Sequence, residues 1–78
     1  MDNKLTLEQL KPGESGRIKA IIMDGALTQR LLDMGFLRGS ELSVIRNAPF
    51  ADPLEVMIRG SHVSLRRNEA KLLVVERL

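Results

Sequence analysis

The stretch Leu54-Glu55-Val56-Met57-Ile58-Arg59-Gly60-Ser61-His62-Val63-Ser64-Leu65-Arg66 decides the fold. Leu54, Val56 and Ile58 alternate with Glu55, Met57 and Arg59, the period of two expected of a strand with one face in a core. Gly60-Ser61 reads as a tight hairpin turn. The chain then returns with Val63 and Leu65 inward and His62, Ser64 and Arg66 outward. Upstream, prolines at 49 and 53 are incompatible with a ladder, so Ala48 to Pro53 is a connecting loop. Before that loop, Leu42 and Val44 alternate with Glu41 and Ser43 in a strand ending near Asn47. Downstream, Asn68-Glu69-Ala70-Lys71 makes a single turn. The apolar run that follows, Leu72 to Glu76, suits a closing strand covered on both sides.

The N-terminal half adds one strand and one helix. From Gly16, the residues Ile18, Ala20 and Ile22 alternate with Arg17, Lys19 and Ile21, and Asp24-Gly25 ends the run. Ala26, Leu27, Leu31 and Met34 then fall on one side at 100° per residue, a short amphipathic helix stopped by Gly35. Arg30 lies at the edge of that stripe and Leu32 on the opposite side. Thr6 with Gln9 three positions later matches a capping box over one helical turn, and Lys11-Pro12-Gly13-Glu14 forces a bend. Five short strands are too few for a sandwich, and an open sheet would leave its edges exposed. Partial closure into a small barrel removes that liability. The fold class is therefore mainly β, a partly closed five-stranded barrel with one short helix inserted after the first strand. Its expected core is Leu10, Ile18, Ala20, Ile22, Leu42, Val44, Leu54, Val56, Ile58, Val63, Leu65, Leu73 and Val75.

With 78 residues, the chain is expected to form one domain, 1–78, around one core. Folding a chain this short hides about 7,900 Å², returning roughly 118 kcal/mol of apolar burial against about 117 kcal/mol of ordering entropy. The terms nearly cancel, so stability rests on close packing or on a partner. No cysteine is present to staple it, and a single histidine without thiolates excludes the usual tetrahedral zinc site. The longest apolar runs are four residues, Ala20 to Met23 and Leu72 to Val75, too short to insert in a membrane. Met1-Asp2-Asn3-Lys4 lacks the basic-then-apolar pattern of a secretory signal, which favours the cytoplasm. Apolar residues outside the expected core, Ile21, Met23, Leu32, Ile45 and Met57, suit a monomer or a weak homo-oligomer.

Catalysis lacks its ingredients. His62, with Ser61 and Ser64, sits on an exposed face beside a turn where nothing shapes a substrate, so no catalytic residue and no cofactor is expected. The weak alternative for metal is a set of Asp52, Glu55 and His62. Asp24-Gly25 supplies one glycine and a repelling acid, unfit to cradle phosphate. A formal charge of +2 is mild. Arg59, Arg66 and Arg67 could line a basic patch, but Phe36 and Phe50 are the only aromatics, so nucleic acid is not the expected partner. The same shortage excludes a polyproline groove. Aliphatic and arginine-rich contacts remain, a mixture suited to protein interfaces.

Leu31-Leu32-Asp33-Met34-Gly35-Phe36, Leu37-Arg38-Gly39, Val44-Ile45-Arg46-Asn47-Ala48-Pro49-Phe50-Ala51-Asp52-Pro53, Ile58-Arg59-Gly60, Ser64-Leu65-Arg66 and Asn68-Glu69-Ala70 occur in one order. Together they make the chain resemble the FeoA domain over residues 5 to 78. The resemblance implies an SH3-like barrel and a small cytoplasmic accessory of ferrous iron uptake. Its implied partner is FeoB, a membrane transporter with a cytoplasmic GTP-binding domain, which would hold the chain at the inner membrane. The expected contact surface is Leu27, Leu31, Leu32, Met34, Phe36 and Leu37, rimmed by Arg38, Arg59 and Arg66. The competing reading is an iron-sensing module binding Fe²⁺ through Asp52, Glu55 and His62, and a small nucleic-acid-binding barrel is the third.

Overall fold

The computed structural model describes residues 4–47 and 52–78, so the loop reading over Ala48 to Ala51 lies outside the described residues. The elements run in the order of a short 3-10 helix (Leu7–Gln9), β1 (Ser15–Ile21), α1 (Gly25–Asp33), β2 (Glu41–Asn47), β3 (Leu54–Ile58), β4 (Ser61–Leu65), α2 (Arg67–Ala70) and β5 (Leu73–Arg77). All five strands join one antiparallel sheet in the order β4-β3-β2-β1-β5. The N-terminal segment curls over the β5 side, where Thr6 bridges Val74 and the Leu5 carbonyl accepts the Val75 N–H at 2.8 Å.

Two bulges bend the sheet, and each resets which residues face inward. Ile18 pairs with Val75 but Ala20 with Val74, leaving Lys19 as the extra residue in β1. Strict alternation places Ala20 and Ile22 in the core. The bulge turns Ala20 outward and leaves Ile22 exposed, while Ile21 packs partly against the core instead. In β2 the shift between Val44 and Arg46 places the extra residue at Ile45, which is exposed. Val63, on an outer strand, is half-buried against the core rather than enclosed by it.

The hairpin turn lies one residue earlier than Gly60-Ser61. Ile58 pairs with Ser61, so the loop is Arg59-Gly60, with φ of 52° and 80°. Positive φ at both positions is the type I′ geometry, whose twist matches that of the strands it joins.

The core extends beyond the inward faces of the strands to Leu7, Leu31, Phe36, Ala70 and Leu72. Thr28 is buried in α1, where its hydroxyl donates to the Ile22 carbonyl at 3.1 Å and accepts the Asp24 N–H. The start of the helix is thereby tied to the end of β1. Glu69 is also buried. One carboxylate oxygen accepts the Arg66 N–H at 2.8 Å and caps α2, and the other meets Arg30 Nε of α1 at 3.0 Å.

Gly16 is required by close approach. A Cβ there would lie 3.1 Å from Leu10 Cδ1 and 3.2 Å from the Glu76 carbonyl oxygen, and the carbonyl belongs to a paired strand that cannot yield. Gly16→Ala should destabilise the fold by about 1–3 kcal/mol, lowering the melting temperature by roughly 4–8 °C per kcal/mol, as calorimetry would measure.

Glu14 closes the turn before β1. Its carboxylate accepts the Lys11 N–H at 2.7 Å and meets Arg77 Nε at 2.9 Å. The Lys11 N–H first, and Arg77 with it, hold its pKa below the ordinary glutamate value. A depressed folded-state pKa gives stability that is present above the unfolded value and lost as pH falls through the folded one. Acid titration followed by circular dichroism should therefore show a shallower acid limb for Glu14→Gln than for the native chain.

Candidate protein-binding surface

The end of α1 divides the residues expected to form the contact surface. Gly35, with φ of 97°, stops the helix; its N–H reaches the Leu32 carbonyl and the Phe36 N–H reaches the Leu31 carbonyl, both at 3.0 Å. This is a Schellman stop, which brings the side chain after the glycine against the one four residues before it. Leu31 and Phe36 are accordingly both 0% exposed. They hold the helix end in the core and cannot touch a partner, a correction to their expected role.

Leu27 and Met34 are half-buried and pack against the core. Leu32 and Leu37 project outward, 37% and 41% exposed. The exposed apolar members of the expected surface are therefore Leu32 and Leu37. Met23, 80% exposed just before α1, is an apolar projection that the sequence reading placed outside the core without assigning it to this surface.

The arginines sort by their partners. Arg17 lies between Glu41 at 2.8 Å and Glu76 at 3.1 Å, and the Glu41 hydrogen bond leads in raising its pKa. Arg30, Arg46 and Arg77 are paired with Glu69, Glu55 and Glu14. Arg38, Arg59, Arg66 and Arg67 form no ion pair among the described residues and are exposed.

Arg59 belongs beside the helix end, because its Cδ lies 3.8 Å from where a Cβ on Gly35 would stand. Arg38 follows Leu37, in a loop held to β1 by the Gly39 N–H on the Ile18 carbonyl at 2.8 Å. Arg66 lies at the far end of β4, about 17 Å of strand from the hairpin turn, and so does not share a rim with Arg59. Sequence reasoning placed Arg67 in a basic patch but not at this contact; nothing in its local pattern separates a free arginine from a paired one.

The alternative metal set comes together only in part. Glu55 Oε1 lies 2.8 Å from His62 Nε2, but its other oxygen meets Arg46 Nε at 3.2 Å. Asp52 instead accepts the Arg67 N–H at 3.1 Å. No group of three histidine, cysteine or acidic residues able to hold a metal occurs among the described residues. Arg46 and the Arg67 N–H thus engage the two carboxylates that the set would use.

A five-stranded antiparallel sheet curled into a partly closed barrel, with α1 inserted after β1 and the single-turn α2 before β5, is an SH3-like fold. The chain is a member of the FeoA domain family, whose model matches residues 5–77. A relative in Porphyromonas gingivalis, an Fe(2+) transport protein A/Fe(2+) transporter FeoB fusion protein, is 35% identical over 72 residues, covering 92% of this chain and 8% of that one. The solved structure of a FeoA-like protein from Clostridium acetobutylicum superposes with a TM-score of 0.90 at 31% identity, covering 100% of this chain and 91% of that one. Stenotrophomonas maltophilia FeoA, an SH3 domain protein solved in complex with zinc, gives 0.81 at 29% identity over 92% and 89% of the two chains. Among the described residues, no helix is long and apolar enough to cross a membrane.

The division between buried and exposed residues at the helix end has a direct test. Phe36→Ala should cost about 3–5 kcal/mol in denaturant unfolding, whereas Leu37→Ala, on an exposed side chain, should cost less than about 1 kcal/mol.

Proposed function

We propose that this chain is a non-catalytic accessory of ferrous iron uptake that works by contact. It binds the cytoplasmic part of a FeoB-type transporter, including its GTP-binding domain, and alters the assembly or nucleotide cycle of that transporter. It acts in the cytoplasm as one domain, reaching the membrane only through its partner, while iron passes through the transporter as cargo.

One observation carries this reading: in Porphyromonas gingivalis a homologous segment and a FeoB transporter share one polypeptide. Tethering of that kind raises the local concentration of two modules to the millimolar range and favours a contact too weak to persist between free proteins. The contact surface best supported is Leu32 and Leu37 with Arg38 and Arg59 at the rim. Exposed leucines supply apolar area there, and the arginines are free to meet carboxylates.

Leu32→Asp places a charge on an exposed position, so the fold should survive with a stability change of about 0.5 kcal/mol or less. Co-purification with the FeoB-type transporter should fall at least tenfold, and any effect of the chain on GTP hydrolysis by the transporter should disappear with it. Undiminished co-purification would remove this surface from the proposal. Stoichiometric sub-micromolar Fe²⁺ binding by the isolated chain in anaerobic calorimetry would favour the sensing module instead.

A further inference from the structure

The two edges of the sheet are treated differently. The outer edge of β5 is closed by the bridge from Thr6 to Val74 and by the Val75 N–H on the Leu5 carbonyl. β4, at the other edge, pairs only with β3 among the described residues. In a two-residue hairpin the pair next to the loop, here Ile58 and Ser61, exchanges both ladder hydrogen bonds, and the pattern repeats at alternate pairs. Ser61, Val63 and Leu65 thus direct their backbone groups to β3, while His62 and Ser64 direct theirs away. Among the described residues the N–H and C=O groups of His62 and Ser64 have no other hydrogen-bond partner, and both residues are exposed.

The usual protections of an edge are thin here. The β3–β4 ladder is regular, whereas those of β1 with β5 and of β2 with β3 each carry a bulge. β4 contains neither lysine nor proline, the residues that most often blunt an exposed strand.

The charge around this edge selects its occupant. Arg59 precedes β4, Arg66 and Arg67 follow it, and none of the three forms an ion pair among the described residues. The acid on β3, Glu55, is already held by Arg46 and His62; Asp52 accepts the Arg67 N–H, and Glu69, which accepts the Arg66 N–H, is engaged by Arg30. Two copies pairing antiparallel through β4 would set Arg66 and Arg67 of each against Arg59 of the other, which like-charge repulsion disfavours. An acidic strand meets the opposite situation.

We propose that the open edge of β4 accepts an extended acidic segment of a partner protein as an added strand. The backbone groups of His62 and Ser64 pair with it, and its carboxylates lie against Arg59, Arg66 and Arg67. This site meets the α1 surface only at Arg59, and its backbone contacts, at His62 and Ser64, do not depend on which face meets the transporter.

Amide exchange and a peptide titration test it on the ¹⁵N-labelled chain. In the free protein the His62 and Ser64 amides should exchange at least tenfold faster than those of Ser61, Val63 and Leu65. Comparable protection at all five would overturn the open edge. A blocked heptapeptide alternating glutamate or aspartate with valine should then shift the His62 and Ser64 amides and slow their exchange at least tenfold. Methylating alternate peptide nitrogens should abolish the effect, and replacing its acids with lysine should weaken binding at least tenfold. Ser64→Pro, which removes an outward N–H while keeping the β3 ladder, should abolish binding, and the double variant Arg66→Glu, Arg67→Glu should weaken it on an intact sheet. No shift at millimolar peptide, equal binding of the lysine peptide, or concentration-dependent dimerisation through β4 in place of peptide binding would each overturn the proposal.

Discussion

The fold depends on a close approach at Gly16. β1 is the strand that pairs with both β2 and β5, and Gly16 lies opposite Leu42 on one side and Arg77 on the other. Leu10 rests on the space that a side chain would occupy there. That contact lets the N-terminal segment cross the barrel and reach β5. In a chain whose burial and ordering terms nearly cancel, that segment covers the β5 edge of the sheet and adds Leu7 and Leu10 to the core, while β4 remains the open edge.

The fold also sorts the charges. Glu41, Glu55 and Glu76 are each engaged by an arginine from a neighbouring strand, Glu69 joins α2 to α1 through Arg30, and Glu14 joins the turn before β1 to β5 through Arg77. Among the described residues, the arginines left without an ion pair are Arg38, Arg59, Arg66 and Arg67. Net charge conveys little of this, because a formal +2 spread evenly would make only a weak field. Concentrated at loops and strand ends, unpaired arginines beside exposed leucines make surfaces able to recognise carboxylates and apolar side chains together.

Much of the fold was legible because β3 and β4 are regular: Leu54, Val56 and Ile58 keep their parity against the partner strand throughout. Ala20 and Ile22 were misplaced because a bulge at Lys19 is a property of the β1–β5 pairing and leaves no mark on local alternation. The hairpin was placed one residue late because glycine usually marks the turn, and here arginine takes the first left-handed position. Of the residues expected at a contact surface, Leu32, Leu37, Arg38 and Arg59 were found exposed. Leu31 and Phe36 were not, although the signal was present: a glycine stop places the next apolar residue against the last helical turn. Arg66 was grouped with Arg59 because both flank one short strand in sequence, while the length of that strand separates them in space.

In the proposed function this chain works through its surface, by binding the cytoplasmic part of a FeoB-type transporter. The most direct test titrates the unlabelled GTP-binding domain of such a transporter into the ¹⁵N-labelled chain and follows every amide. Saturable shifts concentrated at Leu32, Leu37, Arg38 and Arg59, with the core amides of Leu31 and Phe36 still protected, are the expected result. No shift at a tenfold excess of the domain, together with Fe²⁺-dependent changes centred on Glu55 and His62, would contradict the account.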